Sequence, residues 1–230
     1  MAAKLSTALT IVLPAGGTTS ALLDAPADAQ ACYVFAHGAG AGMRHAFMAA
    51  IASGLAERRI ATLRFQFPFM GQGSRRPDTP AVAHDAVRAA VQAASERLPG
   101  LPLFAGGKSY GGRMTSQAQA SEPLPDVRGL IFVGFPLHPA GKPSTERAKH
   151  LSDVRLPMLF LQGTRDALAE LELIKQATAQ IANRATLHIV DAADHAFHVL
   201  VRSGRTDKEV REELLDAMAG WMMGKLRGKS

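Results

Sequence analysis

The sharpest chemical signal in the chain is a serine set among glycines, Gly107-Lys108-Ser109-Tyr110-Gly111. Leu101 to Ala105 before it reads as a short apolar strand, and Arg113 to Ala120 after it reads as a helix. A hydroxyl on such a tight strand-to-helix turn stands exposed at the sheet edge. Residues two before and two after it crowd neighbouring backbone, which excludes side chains there. The turn also sets Ser109 at a helix N-terminus, where free N–H groups and the dipole favour developing negative charge. The chemistry indicated is nucleophilic attack on a carbonyl. Gly107-Lys108-Ser109 also matches the tail of a phosphate-binding loop, G-x-x-x-x-G-K-[ST]. That pattern needs glycine five residues before Gly107, where this chain has Pro102, rigid and without an N–H to offer a phosphate.

A serine hydroxyl is a poor nucleophile until a base takes its proton. Where a strand–serine–helix turn carries such chemistry, the acid and then the base follow the serine in the chain. The run Pro157 to Leu161 is followed by Gln162-Gly163-Thr164-Arg165-Asp166, and Asp166 at a strand end could orient an imidazole. Asp166 could instead cap the helix read from Leu168, Leu171 and Ile174, with Asp153 as the fallback acid. After Thr186 to Val190 comes Asp191-Ala192-Ala193-Asp194-His195-Ala196-Phe197-His198, which nominates His195 as base and His198 as its rival. Asp194 is too close in sequence to His195 to orient it. A third segment, His37-Gly38-Ala39-Gly40-Ala41-Gly42-Met43, lets backbone turn sharply. The N–H of Ala39, with that of Tyr110, could bind an oxyanion; the plainer reading is a flexible glycine loop. The other histidines, including His188 within a strand, read as surface or structural. No H-x-x-x-H or H-E-x-x-H spacing appears, so no metal site and no cofactor is expected.

These residues need a scaffold, and the pattern supplies one. Continuous apolar runs recur at Cys32 to Ala36, Ile60 to Phe67, Leu101 to Ala105, Gly129 to Phe135, Pro157 to Leu161 and Thr186 to Val190. Runs without alternation suit strands covered on both faces. Helical stripes lie between them: Phe47, Ile51 and Leu55; then Val87, Val91, Ala94 and Leu98, opened by Thr79 and Pro80; then Val210, Leu214, Met218 and Trp221, opened by a capping box at Thr206 and Glu209. Alternation of this kind predicts an α/β fold, a mostly parallel central sheet with helices on both faces. Ala8 to Leu13 and Thr18 to Leu23 read as a strand pair turned at Gly16-Gly17. Lys4 followed by Leu5 to Pro14 loosely resembles a leader peptide, but Ser6, Thr7, Thr10 and Pro14 break the run and favour a strand. Pro136 to Val154 is too short for a large lid. No linker or composition shift divides the chain, so one domain over residues 1–230 is expected.

Composition narrows the partners. With 47% apolar and 20% charged residues, the chain of 230 can build a packed core. A net charge of +6 could draw nucleic acid, but its 26 Lys and Arg are dispersed. The one dense basic cluster is Lys225, Arg227 and Lys229 at the tail, without interleaved aromatics, so no nucleic-acid partner is expected. No apolar run is long enough to span a membrane. Cys32 is the sole cysteine and reads as a small buried residue; its solitude fits a reducing, cytoplasmic compartment, and equally an exported protein without disulfides.

The segments His37 to Met43, Arg64 to Met70, Gly106 to Met114, Gly163 to Asp166 and Asp194 to Phe197 resemble, in order, those of small α/β-hydrolases of the dienelactone-hydrolase-like branch. The resemblance runs from residue 37 to 197. It implies an α/β-hydrolase fold with no large lid: eight strands, mostly parallel, the second antiparallel. It implies Ser109, Asp166 and His195 as triad, with Ala39 and Tyr110 as oxyanion donors. The implied activity is a serine hydrolase cleaving a small-molecule carboxylic ester or thioester through an acyl-enzyme. Two features depart from the pattern. Dienelactone hydrolase itself uses cysteine where Ser109 stands, and Lys108 beside the nucleophile is unusual. Lys108 could tune Ser109, bind an anionic acyl group, or simply be structural. The competing expectation is a non-catalytic scaffold of the same fold serving as a binding or assembly subunit.

Overall fold

The continuous apolar runs become strands, sealed on both faces inside the sheet but partly exposed for Thr186 to Val190, which lies at its edge. In the computed structural model, which describes residues 6–181 and 183–228, β3 (Ala31–Ala36) and β4 (Ile60–Phe65) are buried at every position. Along β3 the pleat sends Cys32, Val34 and Ala36 to one core layer and Ala31, Tyr33 and Phe35 to the other. Cys32 is fully buried, and that burial pushes its thiol up to about 12, so it is an inert core residue. Lys4 and Lys229 lie outside the described residues.

The remaining strands are β1 (Thr7–Val12), β2 (Thr18–Asp24), β5 (Leu103–Lys108), β6 (Val127–Val133), β7 (Met158–Gly163) and β8 (Ala185–Val190). All eight form one sheet in the order β1-β2-β4-β3-β5-β6-β7-β8. β2 runs antiparallel to both its neighbours and every other pairing is parallel. This is the α/β-hydrolase arrangement, with no lid domain among the described residues. Thr7–Val12 pairs with Thr18–Asp24 as a hairpin whose turn carries Gly16 and Gly17 at positive φ.

Helices α1 (Ala46–Glu57) and α6 (Asp207–Arg227) cover one face of the sheet. The other face is covered by α3 (Pro80–Arg97), α4 (Tyr110–Ser121) and α5 (Leu171–Ala179). The four-residue α2 (Pro68–Gly71) follows β4 directly, so the strand expected to reach Phe67 stops at Phe65. Thr206 and Glu209 form the expected capping box at the start of α6. Thr79 occupies the cap position of α3 but makes no side-chain cap bond, leaving Pro80 at the first turn as the start signal. The segment Pro136 to Val154 holds only a short 3-10 helix, Glu146–Asp153. No described helix is long and apolar enough to cross a membrane. The register aligns Ala36 with Gly107 and Gly163 with Val190, so the carboxyl ends of β3, β5, β7 and β8 share one rim. Crevices outside the carboxyl ends of strands are where open α/β sheets bind ligands.

Candidate active site

Ser109 sits between β5 and α4 with φ 52° and ψ −118°, a conformation that a non-glycine residue adopts only when its surroundings impose it. The glycines around it make that possible. A Cβ added at Gly107 would lie 2.5 Å from the Ala36 carbonyl oxygen, and one at Gly111 would lie 2.5 Å from that of His37. Strand β3 therefore presses against the turn so closely that only glycine fits on either side of the serine. The Ser109 N–H donates to the Val133 carbonyl at 3.1 Å, tying the turn to β6.

The loops after β7 and β8 bring the two partners. His195 Nε2 lies 2.8 Å from Ser109 Oγ, and His195 Nδ1 lies 2.7 Å from Asp166 Oδ2. A carboxylate only accepts, so Nδ1 carries the proton and Nε2 is left free to accept from the hydroxyl. The Asp166 side chain is completely buried. Its charge is spread over three donors: His195, the Gln162 amide on Oδ2 at 2.5 Å, and the Leu168 N–H on Oδ1 at 2.8 Å. Gln162 is itself held, since its Oε1 accepts from the Phe135 N–H at 3.1 Å. The two loops touch at Gly163, where a Cβ would meet the Ala193 carbonyl oxygen at 2.3 Å.

The alternatives separate cleanly. Asp166 does cap a turn through Leu168, but α5 begins only at Leu171 behind Glu170, so the helix expected from Leu168 starts three residues later. Asp153 lies on the 3-10 helix beside Ser152. His198 is exposed and pairs with Asp207 at 2.9 Å; that hydrogen bond raises its pKa. Asp194 builds the loop, with its Oδ1 accepting from the N–H groups of Ala196 and His198 at 2.8 and 2.9 Å. His188 on β8 pairs with Glu213. Among the described residues no cluster of three His, Cys, Asp or Glu is arranged to hold a metal.

The glycine loop after β3 is anchored rather than loose. His37 Nε2 accepts from the Phe67 N–H at 2.9 Å, and His37 Nδ1 lies 2.7 Å from the Gly38 carbonyl oxygen. Burial lowers the His37 pKa, which keeps the ring neutral with its proton on Nδ1. At the loop's other end, Arg64 donates to the Met43 carbonyl at 3.1 Å and Gln66 Oε1 accepts from the Met43 N–H at 3.1 Å. Arg64 is buried and pairs with Asp24 at 2.8 Å. Sequence reasoning passed over Arg64, Gln66 and Gln162. Their signal was available, as polar side chains at or just beyond the ends of otherwise apolar strands.

The rim encloses a cavity of about 400 Å³ lined by Ser109, Lys108, His195, Ala39, Phe47 and Leu168, among others. Ala39 is on its wall, and Tyr110, as first residue of α4, has no carbonyl one turn back for its N–H. Both backbone groups flank Ser109, one across the cavity and one adjacent in the chain. The model of the alpha/beta hydrolase domain family matches residues 29–223, a span that contains Ser109, Asp166, His195 and the cavity lining. The chain belongs to the alpha/beta hydrolase domain family. Solved structures agree on the fold. An α/β serine hydrolase without lid from Xanthomonas campestris is 23% identical over 95% of this chain and 96% of its own, with TM-score 0.73. Dienelactone hydrolase from Anabaena variabilis is 19% identical over 95% and 97%, with TM-score 0.77. An α/β serine hydrolase homologue from Coxiella burnetii is 21% identical over 94% and 99%, with TM-score 0.74. In this hydrolase family member one imidazole lies within hydrogen-bond reach of both the serine hydroxyl and the buried carboxylate.

Proposed function

We propose that this protein is a serine hydrolase that cleaves a small carboxylic ester or thioester through an acyl-enzyme. The observation that carries the reading is the unbroken chain Ser109 Oγ, His195 and Asp166, with contacts of 2.8 and 2.7 Å. Ser109 Oγ attacks the substrate carbonyl carbon as its proton passes to His195 Nε2. Asp166 holds the imidazole in the required tautomer and stabilises the imidazolium. The carbonyl oxygen becomes an oxyanion, which the N–H groups of Ala39 and Tyr110 stabilise. Support for Ala39 comes from His37. The peptide between Gly38 and Ala39 is trans, so a Gly38 carbonyl held by the His37 ring turns the Ala39 N–H to the opposite side. His195 then protonates the departing alcohol or thiol. Water, deprotonated by the same imidazole, attacks the acyl-enzyme and frees Ser109.

The cavity volume suits a compact acyl group, and its Ala39, Ala41, Phe47, Met48 and Leu168 walls suit an apolar one. A single sheet carrying every strand supports reading the described residues as one hydrolase domain. Ser109→Ala should lower turnover of short p-nitrophenyl esters and matching thioesters by at least about three orders of magnitude, with the melting temperature little changed. Equal turnover by the alanine variant refutes the reading. A fluorophosphonate probe that labels the wild type at Ser109 supports the enzyme over a catalytically silent scaffold.

A further inference from the structure

The triad does not account for Lys108. It ends β5 immediately before the nucleophile, is half-buried, and lines the cavity. Its Nζ donates to the backbone carbonyl oxygen of His195, on the loop after β8. The ammonium also lies 5.2 Å from the centre of the Phe197 ring, within cation–π range. Gly134, at φ 70° and without a side chain, leaves the space through which Lys108 reaches that loop: a Cβ there would stand 3.0 Å from Nζ.

The loop it grips needs a hold. Ala192 and Phe197 bracket His195 with φ of 58° and 64°, the left-handed region that non-glycine residues adopt only when their surroundings impose it. Asp194 ties the loop to itself but not to the nucleophile turn. Among the described side chains, Lys108 alone hydrogen-bonds the His195 carbonyl, and it does so from the residue next to Ser109.

We propose that Lys108 is a positioning residue: its ammonium fastens the His195 carbonyl to the end of β5, and so keeps the imidazole aligned between Ser109 and Asp166. The proposal rests on the triad reading given above. Misplacing a reacting group by an ångström costs about 100-fold in rate, so a tether one residue from the nucleophile acts where geometry matters most. The charged and titratable groups facing the ammonium are Asp166 from the loop after β7, and Asp194 and His195 from the loop after β8. The loops after β3 and β6 approach it with Gly38 and Gly134. Burial lowers Lys108 to about 8, against the opposing pull of Asp166 and Asp194, so the charged tether is present at neutral pH and weakens above about pH 8.

The test compares wild type, Lys108→Met, Lys108→Arg and Ser109→Ala, all as the full chain. Two readouts are used: fluorophosphonate labelling kinetics, and the low-field proton resonance of the His195–Asp166 hydrogen bond. Lys108→Met should slow labelling at saturating probe about 10- to 100-fold while leaving half-saturation nearly unchanged. Lys108→Arg, which keeps a charged donor, should recover most of the rate. The low-field proton should be sharp in wild type and Ser109→Ala, and broadened by exchange in Lys108→Met. The wild-type rate should fall above about pH 8 and that of Lys108→Met should not. Labelling of Lys108→Met at the wild-type rate overturns the tether. So does a loss that Lys108→Arg does not repair while the low-field proton stays sharp, or a loss seen only with esters of anionic acids, which would assign Lys108 to substrate recognition. Should Lys108→Met fail to fold, Lys108→Arg and the wild-type pH profile decide. If wild type is not labelled at all, the hydrolase reading fails separately, and the resonance still judges the tether.

Discussion

Two polar networks in this molecule use similar groups to opposite effect. Around Asp166, a fully buried carboxylate gathers His195, Gln162 and the Leu168 N–H, and links two loops to a strand interior. Between α1 and α6, Arg58 reaches Glu212 at 2.9 Å and Asp216 at 2.7 Å, across carboxylates that remain 45% and 72% exposed. The second network has two ion pairs where the first has a single carboxylate–imidazole pair, but water competes for both. What separates the two is the alternative open to each group when its partner is removed. An exposed carboxylate rehydrates, whereas a buried one loses its geometry or its charge. A third pair, Arg64 with Asp24, is sealed like the first, and its guanidinium also holds the glycine loop by the Met43 carbonyl.

The most severe way to strain this contrast is Asp166→Asn. The amide can donate toward the imidazole and so favours the wrong tautomer. Ester turnover should fall about 10³–10⁴-fold while the fold persists by circular dichroism, and a loss below tenfold would place the buried network on a par with the exposed one. Arg64→Met comes next. It strands Asp24, which is largely enclosed, and releases one end of the loop bearing Ala39, so thermal unfolding should register a loss of about 3 kcal/mol with kcat reduced as well. Arg58→Ala is the smallest. Its guanidinium is the better-covered partner, yet both its carboxylates face water, so calorimetry should find less than about 1 kcal/mol and unchanged kinetics. If Arg58→Ala lowered the melting temperature as far as Arg64→Met, burial would not be what distinguishes these networks.

The site and the sheet were legible to different depths. Ser109 could be read because its turn imposes glycines at Gly107 and Gly111, a constraint written in local sequence. Asp166 and His195 could be read because they follow strand-like runs in the expected order. The end of β4 at Phe65, the bare cap at Thr79 and the late start of α5 could not, because packing and loop hydrogen bonds set element ends. Gln162 and Arg64 carried no role in the sequence, because the contacts that hold them, the Phe135 N–H and the Met43 carbonyl, come from other segments of the chain. Lys108 was noticed beside the nucleophile, yet its reach to the His195 carbonyl crosses 87 positions of sequence.

The sequence alone determined the α/β alternation, the serine turn and the short list of acids and bases, because periodicity and steric exclusion act between near neighbours. Only the tertiary structure decided that His195 rather than His198 meets Ser109, that Asp166 serves the imidazole as well as its own turn, and that His37, Arg64 and Lys108 hold the surrounding loops. Those choices depend on which distant backbone groups arrive within hydrogen-bond reach, and it is the closing of the sheet that brings them there.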